Sequence, residues 1–175
     1  MKLFSENIED LRTLYVANLK KALDMEKKIT KALPTMIQKS TDTRLATAFR
    51  NHLTETQDHV VKVESLLREA TGEADTSTCK VISALIAEAE DSIKDAADTS
   101  IRDITLIGAA QQVEHHEIAV YGTLRSWAEL LGEDEAADTL EGILDQEKNA
   151  DELLSTISDS VNTSAEPTTA FATKG

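Results

Sequence analysis

Four glutamates interrupt the apolar stripes of this chain: Glu26, Glu55, Glu114 and Glu147. The last is the clearest. Ala136, Leu140, Ile143, Glu147, Ala150, Leu154 and Ile157 recur at helical spacing, and Glu147 alone is not apolar. An ionised carboxylate in a core is costly unless something pairs with it. The 18 Lys and Arg fall mostly on other faces. A pair of metal ions held by carboxylates on neighbouring helices meets the need. Leucine at position 147 is therefore expected to stabilise the metal-free chain and to remove most metal affinity.

Two segments add donors. His52, Glu55 and His59 follow an i, i+3, i+7 spacing and share a helical face. In the run Glu114-His115-His116-Glu117, the two glutamates flank the apolar stripe of Ile104, Ile107, Ile118 and Tyr121. His115 and His116 read as surface or supporting residues. An oxygen-rich, imidazole-poor set suits iron or manganese better than zinc or copper. Alone, each glutamate reads as a helix-boundary residue or an ion-pair partner; the pattern rests on all four together. Cys79 reads as a packed thiol, Tyr121 and Trp127 as core, and Lys20-Lys21 and Lys27-Lys28 as solvated.

The elements that must position these groups are long helices. Helix 1 is expected over 6–39, capped by Ser5, with Ile8, Leu11, Tyr15, Leu19, Ala22, Ile29, Leu33 and Met36 toward the core and a bend or break at Pro34. Helix 2 is expected over 43–70, stopped by Gly72, a shorter helix 3 over 78–97, helix 4 to Leu131, and helix 5 over 133–160. Residues 1–161 form one bundle in this reading, and 162–175 a disordered tail. Tight turns make antiparallel hairpins of helices 1 and 2 and of helices 4 and 5. Glu26 and Glu55 are equidistant from a turn between Ser40 and Thr41; Glu117 and Glu147 are equidistant from Gly132. Both layers then lie roughly 22 Å from their turns.

Composition agrees. The chain has 175 residues, 41% hydrophobic but only 3% aromatic, which favours helices packed by aliphatic side chains over a sheet. A net charge of −14 argues against nucleic acid and anionic lipid as partners. One cysteine leaves no internal disulfide. The absence of a signal-like or membrane-length apolar run places the expected location in the cytoplasm.

Several runs carry a resemblance. Met25-Glu26-Lys27-Lys28, His52-Leu53-Thr54-Glu55-Thr56, Val113-Glu114-His115-His116-Glu117-Ile118-Ala119 with Tyr121-Gly122, and Gln146-Glu147-Lys148 resemble the YciE/YciF-type stress proteins of the ferritin-like superfamily. The resemblance spans about residues 3–160. It implies an all-α, ferritin-like antiparallel four-helix bundle with one additional shorter helix, often dimeric, and a role in stress. It also implies metal ligation by Glu26, Glu55, Glu114 and Glu147, with Glu117 beside them. The Glu-x-x-His pattern of many di-iron bundles is missing: Asp58 follows Glu55, and Ala150 follows Glu147.

The combined expectation is two iron or manganese ions per chain, held by Glu26, Glu55, His59, Glu114, Glu117 and Glu147. Glu26 and Glu147 would be terminal, Glu55 and Glu114 bridging, and His52 orienting. Oxygen or peroxide would oxidise Fe(II) there, in a homodimer. The competing expectation is a non-catalytic dimeric stress protein that acts by binding partners.

Overall fold

The computed structural model describes residues 8–164, which form five helices and, among these residues, no strand. They are α1 (Leu11–Lys39), α2 (Thr43–Thr71), α3 (Lys80–Asp95), α4 (Thr99–Leu130) and α5 (Asp134–Ser164). The expected all-α architecture holds.

The start of α1 differs from expectation. Asp10 accepts from the Thr13 amide at 2.8 Å, and Thr13 Oγ1 accepts from the Asp10 amide at 3.1 Å. This reciprocal cap starts the helix at Leu11. Ile8 lies outside it and is 51% exposed, so it is not a core residue. The Ser5 cap falls outside the described residues. Pro34 does not end α1, which runs through to Lys39. The segment around it is anchored by buried Ile29 and Leu33 and by Met36 packed on the core. α5 continues to Ser164, past the expected end at 160; the rest of the expected tail lies outside the described residues.

Gly72 ends α2 at φ 84°, the left-handed region that glycine enters without a Cβ clash. α3 is shorter than expected. Its N-terminus is tied to α1: the Cys79 amide donates to Asp24 Oδ2 at 2.7 Å, and Lys28 Nζ donates to Ser83 Oγ at 2.8 Å. Lys28 is thus a staple between helices and not simply solvated.

Four helices form a ring. α1 packs on α2 and α4, and α5 packs on α2 and α4, while α3 lies over α1 and α4. The chain crosses from one end of the bundle to the other between Gly72 and Asp98. α4 therefore starts beside the α1–α2 turn, where Asp103 meets Thr41 and Asp42. α5 starts beside the N-terminal end of α1, where Arg12 pairs with Glu133. Every helix in the ring is antiparallel to both its neighbours.

Asp103 is a buried carboxylate that the apolar pattern does not announce. It accepts from the Thr41 amide at 2.9 Å, the Asp42 amide at 2.8 Å, and the Thr41 hydroxyl. Asp103→Ala would strand all three donors. It should lower stability by about 3 kcal/mol in a urea melt. Ion stoichiometry at the distant site described next should not change. A loss below about 1 kcal/mol would show that the clamp carries no weight.

Candidate metal centre

The mid-bundle core is polar. Glu26, His59, Glu117 and Glu147 are fully buried, Glu114 and His52 nearly so. α1 supplies Glu26, α2 the two histidines, α4 Glu114 and Glu117, and α5 Glu147. Within one group, His52, Glu114, Glu117 and Glu147 offer ligand-type atoms all within 4.8 Å of one another. A second group, equally tight, joins Glu26, His59 and Glu147. Glu147 belongs to both.

The contacts are specific. His59 Nδ1 lies 3.0 Å from Glu147 Oε1 and 3.7 Å from Glu26 Oε2. On its other side, His59 Nε2 meets Gln146 Oε1 at 3.0 Å. That contact fixes the ring so that Nδ1 faces the carboxylates. His52 Nε2 lies 3.3 Å from Glu114 Oε1 and 3.9 Å from Glu147 Oε2. The Tyr121 hydroxyl donates to Glu26 Oε1.

Much of this cluster lacks hydrogen-bond partners. Both oxygens of Glu117 and of Glu147, Glu26 Oε2, Glu114 Oε2, His59 Nδ1 and both His52 nitrogens are buried without one. Buried polar atoms in native proteins are seldom left so. Burial, reinforced by the neighbouring carboxylates, pushes Glu114 and Glu117 well above the ordinary carboxyl range. Burial opposes charge on the histidines too, but Glu55, Glu114 and Glu147 outweigh it at His52, which rises to about 9. Glu147 and Glu26 do the same at His59, which rises to about 10. Burial pushes Glu147 up as well, yet the two imidazoles hold it below its usual value. The ion-free cluster is thus a carboxylate between two imidazolium rings, with two carboxyls forced toward their protonated forms.

The sequence-predicted residues divide. Glu26, His59, Glu114, Glu117 and Glu147 come together. Glu55 does not join either group: its side chain is 41% exposed and reaches only His52 Nδ1, at 3.7 Å. The expectation that Glu55 lies on the apolar face is corrected. At about 100° per residue, the core-facing seam of α2 runs through Leu45, Phe49, His52, Thr56, His59, Val63 and Leu66, all buried. Glu55 sits beside that seam, and Thr56 occupies it. His52, expected only to orient the shell, lies inside the cluster. Across the α1–α2 hairpin, Glu26 meets His59, one turn past Glu55, through Oε2 and Nδ1 at 3.7 Å. Among the histidines of α4, His115 is exposed near Asp151, and His116 Nε2 lies 3.8 Å from the buried Cys79 thiol.

A ring of antiparallel helices with a carboxylate-histidine cluster at its centre defines an all-α, ferritin-like four-helix bundle carrying one extra helix. The chain belongs to the family described as "Domain of unknown function (DUF892)", which matches residues 10–166. It is 33% identical over 162 residues to "Protein YciF" of Escherichia coli (strain K12), covering 91% of this chain and 98% of that one. The crystal structure of the E. coli stress protein YciF superposes with a TM-score of 0.84 at 31% identity, covering 89% and 98% of the two chains. YcfI from Rhodopseudomonas palustris superposes with a TM-score of 0.85 at 36% identity, covering 88% and 98%. The chain is thus similar to YciF along nearly its whole length, and the family resemblance read from its sequence holds. No helix among the described residues is long and apolar enough to cross a membrane.

Proposed function

We propose that the cluster binds two iron or manganese ions per chain, shared through Glu147, and serves to oxidise Fe(II) with peroxide or oxygen. The observation that carries this reading is the set of buried, unpartnered oxygens and nitrogens contributed by all four helices of the ring. Their chemistry fits the ions: mostly carboxylate oxygen with two imidazoles, a donor set matched to iron and manganese. His52, Glu114 and Glu117 would hold one ion, Glu26 and His59 the other, and Glu147 both. Bound iron would supply one-electron steps to the oxidant.

The remaining residues prepare the site. Gln146 holds the His59 ring by Nε2, which leaves Nδ1 toward the cluster. Tyr121 occupies one oxygen of Glu26 and leaves the other free. Glu55 stands at an opening of about 150 Å³ with a mixed lining, Asn51 and Asn149 beside Leu153 and Leu154, that leads to His52 and Glu114. A half-exposed carboxylate there would receive a hydrated cation and pass it inward. Glu55 thus becomes an entry residue in this reading, in place of a bridging ligand.

Elemental analysis after anaerobic loading with Fe(II) should find two ions per chain. Stopped-flow absorbance should then show oxidation faster than the buffer background, with peroxide at least as effective as oxygen. A folded protein that retains no iron at neutral pH would sink the proposal. Iron retained without turnover would leave binding standing and remove the redox function.

A further inference from the structure

A second opening reaches the same cluster from another side, and it is larger and more apolar. A cavity of about 340 Å³ lies among α1, α2, α3 and α4. Ile29, Leu33, Phe49, Ile86, Ile93 and Val113 make its walls mostly apolar; Lys28, Lys31 and Glu90 also line it, as do His52 and Glu114. Both of these polar residues are more than nine-tenths buried. The His52 ring nitrogens and Glu114 Oε2 have no hydrogen-bond partner. A cation does not need such a shaft, because apolar walls cannot replace its hydration. Hydrogen peroxide, small and water-like, gains nothing from it either. Apolar walls around a few convergent polar atoms are the usual make-up of a site for a small organic molecule, and the volume lies at the lower end of the roughly 300–1,000 Å³ typical of such pockets.

We propose that this cavity binds an uncharged organic hydroperoxide, its apolar body against the walls and its O–OH end at His52 and Glu114. The head must be uncharged, because an ion would have to shed its hydration among mostly apolar walls to reach His52 and Glu114. It must also both donate and accept, since the free groups are a carboxyl oxygen and an imidazole. A hydroperoxide does both. The turnover rests on the Fe(II) oxidation proposed above. The O–O bond takes two electrons, one from each of two Fe(II) ions supplied as substrate, together with two protons. The products are the alcohol, water and two Fe(III). A bulky apolar body on the oxidant would then be a reason for preference and not an obstacle.

Binding can be tested without any metal. The probe is 2-phenyl-2-propanol, the alcohol that cumene hydroperoxide leaves behind, titrated into the metal-free chain by calorimetry and ligand-observed NMR. One molecule should bind per chain. Ala89→Phe, which fills the cavity from α3, should weaken binding at least tenfold, and Ala32→Leu, which narrows it from α1, should weaken it in the same sense. Far-UV melts identify whichever variant folds. No saturable binding by the wild type, or undiminished binding by a folded plugged variant, overturns the proposal. With iron loaded, the rate with cumene hydroperoxide relative to hydrogen peroxide should fall at least tenfold in Ala89→Phe. If hydrogen peroxide itself drives no oxidation of Fe(II), the redox reading fails, and the alcohol titration still decides whether the cavity holds an organic molecule.

Discussion

Glu117→Leu should make the metal-free protein more stable, and Glu147→Leu should make it less stable. Both carboxylates are fully buried, so burial alone does not separate them. Their partners do. Neither oxygen of Glu117 has a hydrogen-bond partner, and the surrounding carboxylates raise its proton affinity further. Leucine removes that strained group and fills similar space, for an expected gain of about 1–3 kcal/mol. Glu147 lies 3.0 Å from His59, nearer than Glu26 at 3.7 Å, and 3.9 Å from His52. Removing it takes the nearest counter-charge from the buried His59 ring and weakens the support of His52, for an expected loss of about 2–4 kcal/mol. The apolar stripe on α5 predicts a gain at position 147; the histidines of α2 reverse the sign. Iron binding should separate the two as well. Glu117→Leu should retain about one ion per chain and Glu147→Leu almost none, since only Glu147 belongs to both groups. Denaturant melts with and without iron, together with elemental analysis, give all four values. Equal stability changes at the two positions would mean that the pairing described here does not control the site.

Metal affinity should climb steeply with pH. His52 and His59 hold their protons up to about 9 and about 10 in the ion-free cluster. Each must release its proton to become a ligand. Two released protons imply an affinity that rises at least about a hundredfold per pH unit between neutrality and pH 9, and the raised carboxyls of Glu114 and Glu117 steepen it. The metal-free protein should move the other way. Raised histidine pKa values contribute stability that is complete below the ordinary value of 6.5. That contribution is lost as pH climbs through about 9 to 10. The raised carboxyls of Glu114 and Glu117 act in the same direction, since ionising them in the core is penalised. Glu147 opposes on the acid side, where protonation below its ordinary range ends its pairing. Manganese titrations at several pH values, paired with melts of the metal-free chain, test both slopes. A flat affinity profile would show that the imidazoles are not ligands.

The architecture was legible because the long stripes leave one arrangement that hides them. Leu140, Ile143 and Leu154 around Glu147, and the turns at Thr41-Asp42 and Gly132, specify two antiparallel hairpins before any coordinate is known. The four glutamates among the six proposed ligands follow from the same stripes. Glu55 misled because chemistry was placed ahead of phase. A carboxylate three residues after His52 looks like part of a ligand set, but Leu45, Phe49, Thr56 and Val63 fix the buried face one position away. Following that seam alone would have found His52 and His59. Asp103, Gln146 and Tyr121 were harder. Their roles come from contacts with Thr41, His59 and Glu26, 62, 87 and 95 residues distant, and no local period encodes such partners.

The alternation of direction around the ring has an electrostatic consequence. α1, α2, α4 and α5 contain 29, 29, 32 and 31 residues, so they carry nearly equal macrodipoles. Each points against both its neighbours, and the cluster lies near mid-length, far from any helix end. The helix-end charges therefore nearly cancel at the centre. Sites that receive an ion at a helix terminus borrow the field of the backbone; this one has almost none to borrow. Its potential is set by three parts: the charged side chains gathered there, the protons they hold, and the apolar wall of α3. A bundle of this kind is an electrically neutral frame, and the proton and cation affinity of its core becomes a matter of single side chains.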